Sequence, residues 1–517
     1  MAQRVNTDPM KARTKGRPPP PIAIVGAGIG GLVAAALLAG SGQPVQVFER
    51  HTMPGGKMRT LPSPAGPVDA GPTVLTLRHV FDRVFADLGT RLDDHVTLTR
   101  QPLLARHFWP DGAQLDLFDD MDRNSEAIRD FAGARSAQQF RAFDRRARAL
   151  FEAFDAPVMQ AARPSVPALM RRFLRAPRLM RDMAPLQSLA ALLDDSFDDP
   201  RLAQLFGRYA TYVGGMPALS PALLALVWRA EAGGVWVVEG GMHRLAQALE
   251  ALARRYGAEF HYDSHVARIA VQDGATSGLE LADGSHVPAQ TVLFNGDPRA
   301  LATGMLGSDV SSVAGATRHS TRSLSADVWT FAARTEGPDL AHHNVFFRND
   351  GQAEFDALAR GGRVADPTLY VCAMDRGTGP APALERFEII ANAPPLTPGQ
   401  EPPPCPDRCF QTLDRFGLRF APPHAAMTTP QGFETLFPGS LGALYGQSPH
   451  GLMAAFRRPQ ARTAIRGLML AGGGVHPGAG VPMAALSGRH AAETILRGRT
   501  STSPYRQTAT PGGTSTV

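Results

Sequence analysis

Residues 22–59 read IAIVGAGIGGLVAAALLAGSGQPVQVFERHTMPGGKMR, and this stretch decides the fold of the 517-residue chain. It predicts a short apolar strand, a glycine turn, a helix and a second strand that ends at Glu49. Gly26, Gly28 and Gly31 fit the pattern G-x-G-x-x-G, which combines a tight turn, close approach to a pyrophosphate and close helix packing. The start of the helix offers free N–H groups to phosphates, and Glu49 can accept hydrogen bonds from a ribose. The stretch therefore predicts a dinucleotide-binding site.

Residues 21–48 also carry no charge and are long enough to resemble a membrane span of about 20 residues. Several glycines and the sequence SGQP at 41–44 divide the stretch into pieces of strand and helix length, so we reject a membrane span.

Residues 1–20 are basic and rich in proline, and residues 499–517 consist mostly of Ser, Thr, Gly and Pro. Both ends are predicted to be disordered tails, because they have too few apolar side chains to offset the entropy of ordering.

The composition indicates a globular protein of two or three domains. Its net charge of +6 comes from 53 basic and 47 acidic residues, a balance that suits an anionic lipid surface as well as it suits nucleic acid. No nucleic-acid partner is expected. Cys372, Cys405 and Cys409 offer no disulfide framework, so the sequence favours a reducing, cytoplasmic compartment. No metal site is predicted, since Cys405 and Cys409 lie four apart without a second pair of ligands nearby.

Sequence of nucleotide-binding type occurs in residues 21–76, 235–300 and 467–498. The second piece predicts a helix with Leu245, Leu249 and Leu252 on one face, then strands near 260 and 266, a hairpin and a buried strand at 291–294. The third predicts a strand at 468–471, a glycine turn and a helix from about Pro482. We predict that the three pieces build one Rossmann-like domain, and that residues 77–234 and 301–466 form an inserted α+β substrate domain. The fold class is therefore α/β.

Several motifs resemble the phytoene desaturase (carotenoid desaturase) family of FAD oxidoreductases, which has a fold of the flavin amine oxidase type. They lie at residues 26–31, 49–50, 54–57, 69–75, 233–236 and 240–242, and most densely at 472–482. The resemblance spans almost the whole chain and is not confined to one module. Within the family, four segments resemble the hydroxyneurosporene desaturases of purple bacteria. They are residues 223–231, 437–439, 442–446 and 448–451.

The resemblance implies FAD as the cofactor, with Gly26, Gly28 and Gly31 at its pyrophosphate and Glu49 at its adenosine ribose. It also implies that Lys57 and Arg59 lie near the phosphates or the ribityl chain, and that the main chain of Val266 pairs with adenine. The segment that would pass the ribityl chain and the isoalloxazine contains Gly473, Gly474, Val475 and Val481. Many relatives of the wider flavin family hold a ribityl hydroxyl with an acid at this position. Residues 472–474 are glycines here, so main-chain N–H groups would have to replace that acid.

The implied reaction removes a hydride and a proton from a carbon–carbon single bond near the hydroxylated or methoxylated end of an acyclic carotenoid. The flavin carries the difficult step, and the protein orients an apolar chain against it. Oxygen or a quinone would reoxidise the flavin. Glu231 is the candidate base or cation stabiliser, and an ion pair with Arg229 or another arginine explains it equally well. His243 and His476 are possible flavin neighbours, although packing at helix starts explains them as well.

An amphipathic segment predicts contact with a membrane surface. Five arginines fall on one side of a helical wheel, namely Arg171, Arg172, Arg175, Arg178 and Arg181. The apolar residues Val166, Leu169, Met170, Phe173, Met180 and Met183 fall on the other side, and Pro177 is expected to break the helix. A basic amphipathic helix of this kind lies in the plane of the interface, so we expect peripheral association with the inner membrane. The alternative is a surface helix whose apolar face packs on the core.

The hydroxylated end of the substrate needs a polar partner, because an unpaired buried hydroxyl costs about 1–3 kcal/mol. The candidates are His342, His343, Asn344 and Arg348, for each of which a solvated hairpin turn is the alternative.

Other functions remain open. They are a phytoene desaturase of the same family, an amine or protoporphyrinogen oxidase, and a non-catalytic lipid carrier. The intact glycine triplet argues against the carrier, and the low content of 7 Tyr and 4 Trp argues against an amine oxidase with an aromatic cage.

Overall fold

The computed structural model describes residues 20–399, 408–421 and 424–501. Cys405 and nearly all of the two predicted tails lie outside these residues. The strands are β1 (Ile22–Val25), β2 (Val45–Phe48), β3 (Thr60–Leu61), β4 (Val68–Asp69), β5 (Leu98–Gln101), β6 (Leu103–Phe108), β7 (Gln114–Phe118), β8 (Val235–Val238), β9 (Glu259–His261), β10 (Val266–Gln272), β11 (Ala275–Leu281), β12 (His286–Pro288), β13 (Thr291–Phe294), β14 (Ser325–Glu336), β15 (His343–Phe346), β16 (Leu369–Ala373), β17 (Glu385–Ala393), β18 (Arg419–Ala421), β19 (Ala426–Thr428) and β20 (Leu468–Leu470).

The α-helices follow in the same chain order. They are α1 (Ile29–Gly40), α2 (His79–Asp87), α3 (Met121–Phe154), α4 (Val166–Arg175), α5 (Pro177–Met183), α6 (Leu189–Ser196), α7 (Pro200–Gly207), α8 (Leu226–Ala232), α9 (His243–Arg255), α10 (Pro298–Ala302), α11 (Gly351–Ala359), α12 (Cys409–Asp414), α13 (Pro430–Leu436) and α14 (Val481–Ser501).

A five-stranded parallel sheet brings the three nucleotide-type pieces together. Its strand order is β20-β13-β1-β2-β9, so the central strand β1 lies between β2 and β13. Parallel strands of this kind are buried on both faces, and β1 and β13 accordingly read as continuous apolar runs. The strands and helices predicted for these pieces are confirmed. The exact limits of the two domains stay a prediction, and α2, which follows residue 76, contributes Phe81 and Phe85 to the core of this sheet.

Helices α1, α9 and α14 pack against the parallel sheet and form its core with Leu32, Leu245 and Leu486. The contact between α1 and α14 is close, because a Cβ at Gly488 would lie 2.1 Å from the carbonyl oxygen of Gly30. The beginning and the end of the described chain therefore meet directly beside the glycine turn.

A second sheet has the strand order β18-β14-β17-β16-β15-β6-β7, with β19 also paired to β14. Its neighbours are antiparallel except for β15 and β6. Alternate side chains point to opposite faces. One face carries Trp329, Phe331 and Ile389 into an aromatic core. The other face packs Cys372 against Val68 of β4, so it is directed towards the motif at residues 69–75.

The helical part of the inserted region has an aromatic core of its own, in which Phe140 and Phe206 pack against Trp228. Helix α3 changes direction at Gly133, whose φ of 89° lies outside the helical region. Helices α4 and α5 cover this core with buried side chains such as Phe173 and Met183. Among the residues that the structure describes, none of the helices has both the length and the apolar composition that crossing a membrane would need.

Candidate active site

The glycine turn adopts the conformation that its sequence predicts. Gly26 has a φ of +100°, which other residues rarely adopt, and its N–H donates to the carbonyl of Phe48 at 2.8 Å. A Cβ at Gly31 would lie 2.2 Å from the carbonyl oxygen of Gly26, so this position also excludes a side chain. Helix α1 begins after Gly28, and no side chain caps its first turn. Its N–H groups are therefore free to face an anion.

Glu49 is buried and holds the glycine turn in place. Its Oε2 accepts a hydrogen bond from the N–H of Ala27 at 2.7 Å, and its Oε1 accepts one from the N–H of His51 at 2.9 Å. Each carboxylate oxygen can accept a second hydrogen bond, so contact with a ribose stays compatible with these bonds. The bracing of the turn by Glu49 was not predicted from the sequence, although the spacing of 23 residues from Gly26 located the residue.

A second glycine loop lies over the turn. The N–H of Gly55 donates to the carbonyl of Ala27 at 2.8 Å, and a Cβ at Gly56 would lie 3.1 Å from the Cα of Gly28. Both sides of the resulting groove are main chain without side chains. The side-chain-free main chain here and the uncapped start of α1 fit the close approach of a dinucleotide pyrophosphate.

Lys57 and Arg59 extend from this loop towards the inserted region. Lys57 Nζ donates to the carbonyl of Leu444 at 2.5 Å, and Arg59 Nη2 donates to Thr428 Oγ1 at 2.6 Å. Burial lowers the pKa of Lys57 to about 8, with Asp297 opposing this shift. Their contact with the phosphates or the ribityl chain stays a prediction. The contacts present in the structure join the nucleotide-type domain to residues 426–446.

The loop after β20 completes the groove. Gly472 has a φ of +105°, and a Cβ at Gly474 would lie 2.5 Å from Pro298. Arg458 Nη1 donates to the carbonyl of Gly473 at 2.9 Å and to that of Tyr445 at 3.2 Å, so it fixes this loop against the segment before β20. Burial lowers the pKa of Arg458 to about 10.

The remaining residues predicted to contact the cofactor lie in the same domain. Val475 is completely buried, and Val481 begins α14. Val266 begins β10 and pairs with Leu281. Their contacts with a ribityl chain, an isoalloxazine and an adenine stay predictions.

Asn295 is a site residue that the sequence reasoning missed. Its Nδ2 donates to the carbonyl of Gly26 at 3.1 Å, while its buried Oδ1 has no hydrogen-bond partner among the described residues. A Cβ at Gly30 would lie 2.6 Å from that oxygen. The sequence could have indicated this residue, because Asn295 directly follows the predicted buried strand β13. Ligands of parallel sheets bind at the carboxyl ends of the strands.

Glu231 is held in a buried polar cluster. Its Oε1 accepts hydrogen bonds from the hydroxyl of Tyr209 at 2.7 Å and from Arg208 Nη2 at 3.2 Å. The predicted alternative of an ion pair is therefore present, with Arg208 as the partner, whereas Arg229 pairs with Asp144. Burial and the neighbouring Glu231 raise the pKa of Tyr209 well above its usual value. A role of Glu231 as a base stays a prediction.

The two histidines considered as flavin neighbours both bond to main-chain carbonyls. His243 Nδ1 lies 2.7 Å from the carbonyl oxygen of Met58, and His476 Nε2 lies 2.8 Å from that of Ala161. Asp69 accepts hydrogen bonds from the N–H groups of Met242 and His243 at the start of α9. Burial raises the pKa of Asp69 to about 6.

The candidates for the hydroxyl partner belong mainly to a buried strand, and the alternative of a solvated hairpin turn is wrong for them. His343 and Asn344 lie in β15, which pairs on both sides and is therefore an inner strand. Asn344 is occupied by the main chain of Ala341 and Val371. His343 Nδ1 lies 2.7 Å from the hydroxyl of Tyr370, while its Nε2 has no partner among the described residues.

His342 and Arg348 at the two ends of this segment are also engaged. His342 Nδ1 lies 2.7 Å from the carbonyl oxygen of Arg376, and Arg348 pairs with Asp366 at 3.5 Å. Tyr370, the partner of His343, also contacts Thr73 Oγ1 at 2.7 Å. The sheet is thus connected to the motif at residues 69–75.

The amphipathic segment has features of both predicted alternatives, a helix that contacts a membrane surface and a surface helix that packs on the protein core. The break at Pro177 is confirmed, since α4 ends at Arg175 and α5 begins at Pro177. Leu169, Phe173 and Met183 are buried in the protein core, as expected for an ordinary surface helix. Four other large apolar side chains of this segment are exposed together with the five arginines. They are Met170 at 50%, Leu174 at 77%, Met180 at 40% and Leu186 at 99%.

The parallel sheet, which is assembled from three separate pieces of the chain, and the glycine loops beside it are typical of a dinucleotide-binding protein. The sequence matches the family described as flavin containing amine oxidoreductase over residues 29–363. A putrescine oxidase variant with redesigned cofactor binding aligns with a TM-score of 0.61 over 92% of this chain and 99% of that chain. At 15% sequence identity this likeness shows the fold alone.

Closer relatives are carotenoid enzymes. The hydroxyneurosporene desaturase of Cereibacter sphaeroides is 54% identical over 482 residues, which cover 92% of this chain and 97% of that protein. The hydroxyneurosporene desaturase of Rhodobacter capsulatus is 49% identical over 488 residues, which cover 93% of this chain and 98% of that protein. The chain therefore belongs to the flavin-containing amine oxidoreductase family, in the branch of the carotenoid desaturases. The predicted family and fold class are confirmed, and the protein is a flavin-dependent oxidoreductase.

Proposed function

We propose that the protein uses FAD to remove a hydride and a proton from a carbon–carbon single bond next to the hydroxylated or methoxylated end of an acyclic carotenoid. The observation that carries this proposal is the 54% identity to a hydroxyneurosporene desaturase over 97% of that protein. The groove supports FAD as the form of the flavin, because the glycine turn and Glu49 provide for a pyrophosphate and a ribose. Oxygen or a quinone is the proposed electron acceptor.

A bound flavin supplies the hydride acceptor, and the conjugated chain of the substrate delocalises the positive charge that remains. The protein then has to hold both molecules and exclude water. Arg458 fixes the loop at Gly473, and the glycine loop at 55–56 closes over the turn. Glu231 serves in this proposal as the counter-ion of Arg208, because its carboxylate already accepts two hydrogen bonds.

The second sheet supplies an apolar wall for the carotenoid. Val328, Ile390 and Tyr370 are cross-strand neighbours on β14, β17 and β16. Since directly paired residues point to the same face, all three lie on the face that meets the motif at 69–75. Residues 77–234 and 301–466 are accordingly proposed to form the substrate domain, with an apolar tunnel that ends at the flavin.

A substrate panel tests the proposed function. We expect the purified protein, reconstituted with FAD and lipid vesicles, to convert hydroxylated neurosporene to a product with one more conjugated double bond, seen as a red shift of its absorption spectrum. Neurosporene without the hydroxyl and phytoene serve as comparison substrates. Equal turnover of both neurosporenes, or a strong preference for phytoene, would contradict the proposal.

We also propose that the protein associates peripherally with the inner membrane, because a carotenoid is supplied from lipid. The five exposed arginines of residues 171–181 and the exposed Met170, Leu174, Met180 and Leu186 support this contact. Positive charge and apolar side chains on one surface are the two contributions that bind a protein to an anionic interface.

A further inference from the structure

We propose that Glu388 is the residue that receives the terminal hydroxyl group of the carotenoid. The inference rests on the proposed function, and it names a binding residue outside the candidates that the sequence suggested. Glu388 lies in the middle of β17, in the face of the second sheet that is directed towards the flavin-binding motifs.

Glu388 is part of a polar row that crosses four strands. It pairs with Thr330 of β14 on one side and with Cys372 of β16 on the other, and Cys372 pairs with His343 of β15. Paired residues project from the same face. Two residues further along β17, Ile390 pairs with Val328 and Tyr370. A mainly polar row therefore lies beside a mainly apolar row, in which Val328 and Ile390 pack against Phe433 of α13. Tyr370, at the other end of the apolar row, contacts Thr73.

The surroundings of Glu388 connect this row to the cofactor groove. Arg59 and Asp69 are close enough to influence its ionisation, and the main-chain N–H of Gly71 is directed towards it without forming a hydrogen bond of good geometry. Tyr445 also interacts with Glu388 electrostatically. The family resemblance implies that Arg59 lies near FAD, and Asp69 and Gly71 belong to the motif at residues 69–75. Glu388 is therefore close to the predicted cofactor site.

The carboxyl group of Glu388 is buried without a partner. Glu388 is completely inaccessible to solvent, and neither its Oε1 nor its Oε2 forms a hydrogen bond within the described part of the chain. Buried polar groups are nearly always hydrogen-bonded, and leaving one unpaired is unfavourable. The missing partner is explained if a ligand supplies it.

The protonation state of Glu388 suits an alcohol. Burial, and next the negative charge of Asp69, raise the pKa of Glu388 well above its usual value, while Arg59 opposes this shift. The raised pKa favours the carboxylic acid form of Glu388, which can both donate a hydrogen bond and accept one. A tertiary hydroxyl has the same pair of functions, so the two groups can form reciprocal hydrogen bonds.

The test compares three variants with the wild-type protein on hydroxylated and unhydroxylated neurosporene. Glu388→Leu removes the polar group at similar size, and Glu388→Gln keeps a donor and an acceptor. Glu354→Gln is the matched control. Glu354 is also a buried carboxyl with a raised pKa and one unpaired oxygen, but it borders a small cavity with Asp327 and Trp329 on the opposite face of the sheet.

For Glu388→Leu we expect kcat/KM on the hydroxylated substrate to fall about tenfold or more, with little change on the unhydroxylated one. Glu388→Gln should recover much of the preference for the hydroxylated substrate, and Glu354→Gln should keep it fully. Flavin content and thermal unfolding of each variant establish that it is folded. If Glu388→Leu does not fold, Glu388→Met, which also lacks a hydrogen-bonding group at this position, takes its place in the comparison.

Several results would overturn the assignment. One is an unchanged preference in Glu388→Leu, and a second is loss of turnover on both substrates by flavin-loaded Glu388→Gln, which would indicate a proton-transfer role. A third is a stoichiometric metal in the purified protein, because His342, His343 and Cys372 place potential ligand atoms within 4.8 Å of one another beside Glu388. Absence of any preference in the wild-type protein would instead refute the proposed function itself.

Discussion

At the scale of single residues, Gly28 is the most direct probe of the cofactor groove. Gly28→Ala places a Cβ in the path of the pyrophosphate, and we expect the flavin content to fall on the order of tenfold, equivalent to about 1.4 kcal/mol of binding. The same Cβ would also lie 2.9 Å from Asn295 Nδ2. The ratio of flavin absorbance to protein absorbance measures the effect.

Two controls separate these causes. In Gly315→Ala a Cβ would meet nothing within 4 Å, so this variant should keep its flavin. The double variant Gly28→Ala, Asn295→Ala removes the contact with the asparagine. Full recovery of flavin in the double variant would show that Asn295, and not the pyrophosphate, excludes the side chain.

Asp69 provides a prediction about pH. Because its pKa rises from 3.8 in the unfolded chain to about 6 in the folded protein, the folded state binds the extra proton between these values. Its contribution to the free energy of unfolding therefore decreases as pH rises from about 4 to about 6, by about 3 kcal/mol. Asp69→Asn lacks this titration.

Urea unfolding at several pH values within this window checks the prediction. We expect the stability difference, wild type minus Asp69→Asn, to become less favourable to the wild type as pH increases. A constant difference over the window would mean that Asp69 is not desolvated as the structure describes.

Local patterns predicted the residues of the glycine turn, but pairings distant in sequence could not be predicted in the same way. The periodicity of β17 shows which side chains share a face, and it does not show which strand lies beside them. Glu388 and Cys372 become neighbours only through the register of β16 and β17. Likewise, the sequence predicted that Glu231 could pair with an arginine but did not identify which one. The fold places Arg208 beside Glu231, whereas Arg229 pairs with Asp144.

At the scale of elements, helices α4 and α5 carry the prediction for membrane binding. Each arginine near an anionic surface contributes about 1 kcal/mol, so charge reversal at Arg171, Arg175 and Arg178 should remove at least about 3 kcal/mol and reduce vesicle binding about 100-fold. Sedimentation with anionic vesicles measures this loss. High salt should reproduce part of it, because screening extends over a Debye length of about 8–10 Å.

Reversal of three exposed arginines elsewhere is the control. Arg91, Arg419 and Arg497 are 78%, 66% and 80% exposed and take part in surface ion pairs, which contribute little to stability. This variant changes the net charge by the same amount. If it releases the protein as strongly as the variant in α4 and α5, the binding depends on total charge and not on this surface.

The elements also show where helical periodicity stops being informative. The helical wheel predicted that Met170 and Met180 lie on the apolar side that packs on the protein or the membrane. Both are exposed in the structure, whereas Leu169 and Phe173 are buried. The break at Pro177 interrupts the register, so one wheel cannot describe both helices. The surface that results is a mixture of arginine and apolar side chains rather than two separate faces.

At the scale of the whole molecule, the cofactor should stabilise all three pieces of the parallel sheet together. Addition of FAD to the flavin-depleted protein at 100 times its Kd should increase the free energy of unfolding by about 2.7 kcal/mol. FMN, which lacks the adenosine half, should stabilise far less, because it cannot make the contacts predicted between adenosine and Glu49 or Val266. Equal stabilisation by both flavins would contradict FAD as the cofactor. Calorimetry or circular dichroism during heating provides the measurement.

The arrangement of the parallel sheet has a consequence for the making of the protein. The central strand β1 is synthesised first, but its neighbour β13 follows only at residue 291, and β20 and α14 come last. Domains of a nascent chain generally fold as units while synthesis proceeds from the N terminus. Here the apolar β1 and α1 cannot complete their packing in the parallel sheet until nearly all of its strands have been synthesised. We therefore expect flavin to bind only after translation, and we expect a chain shortened before β20 to depend on chaperones to remain soluble.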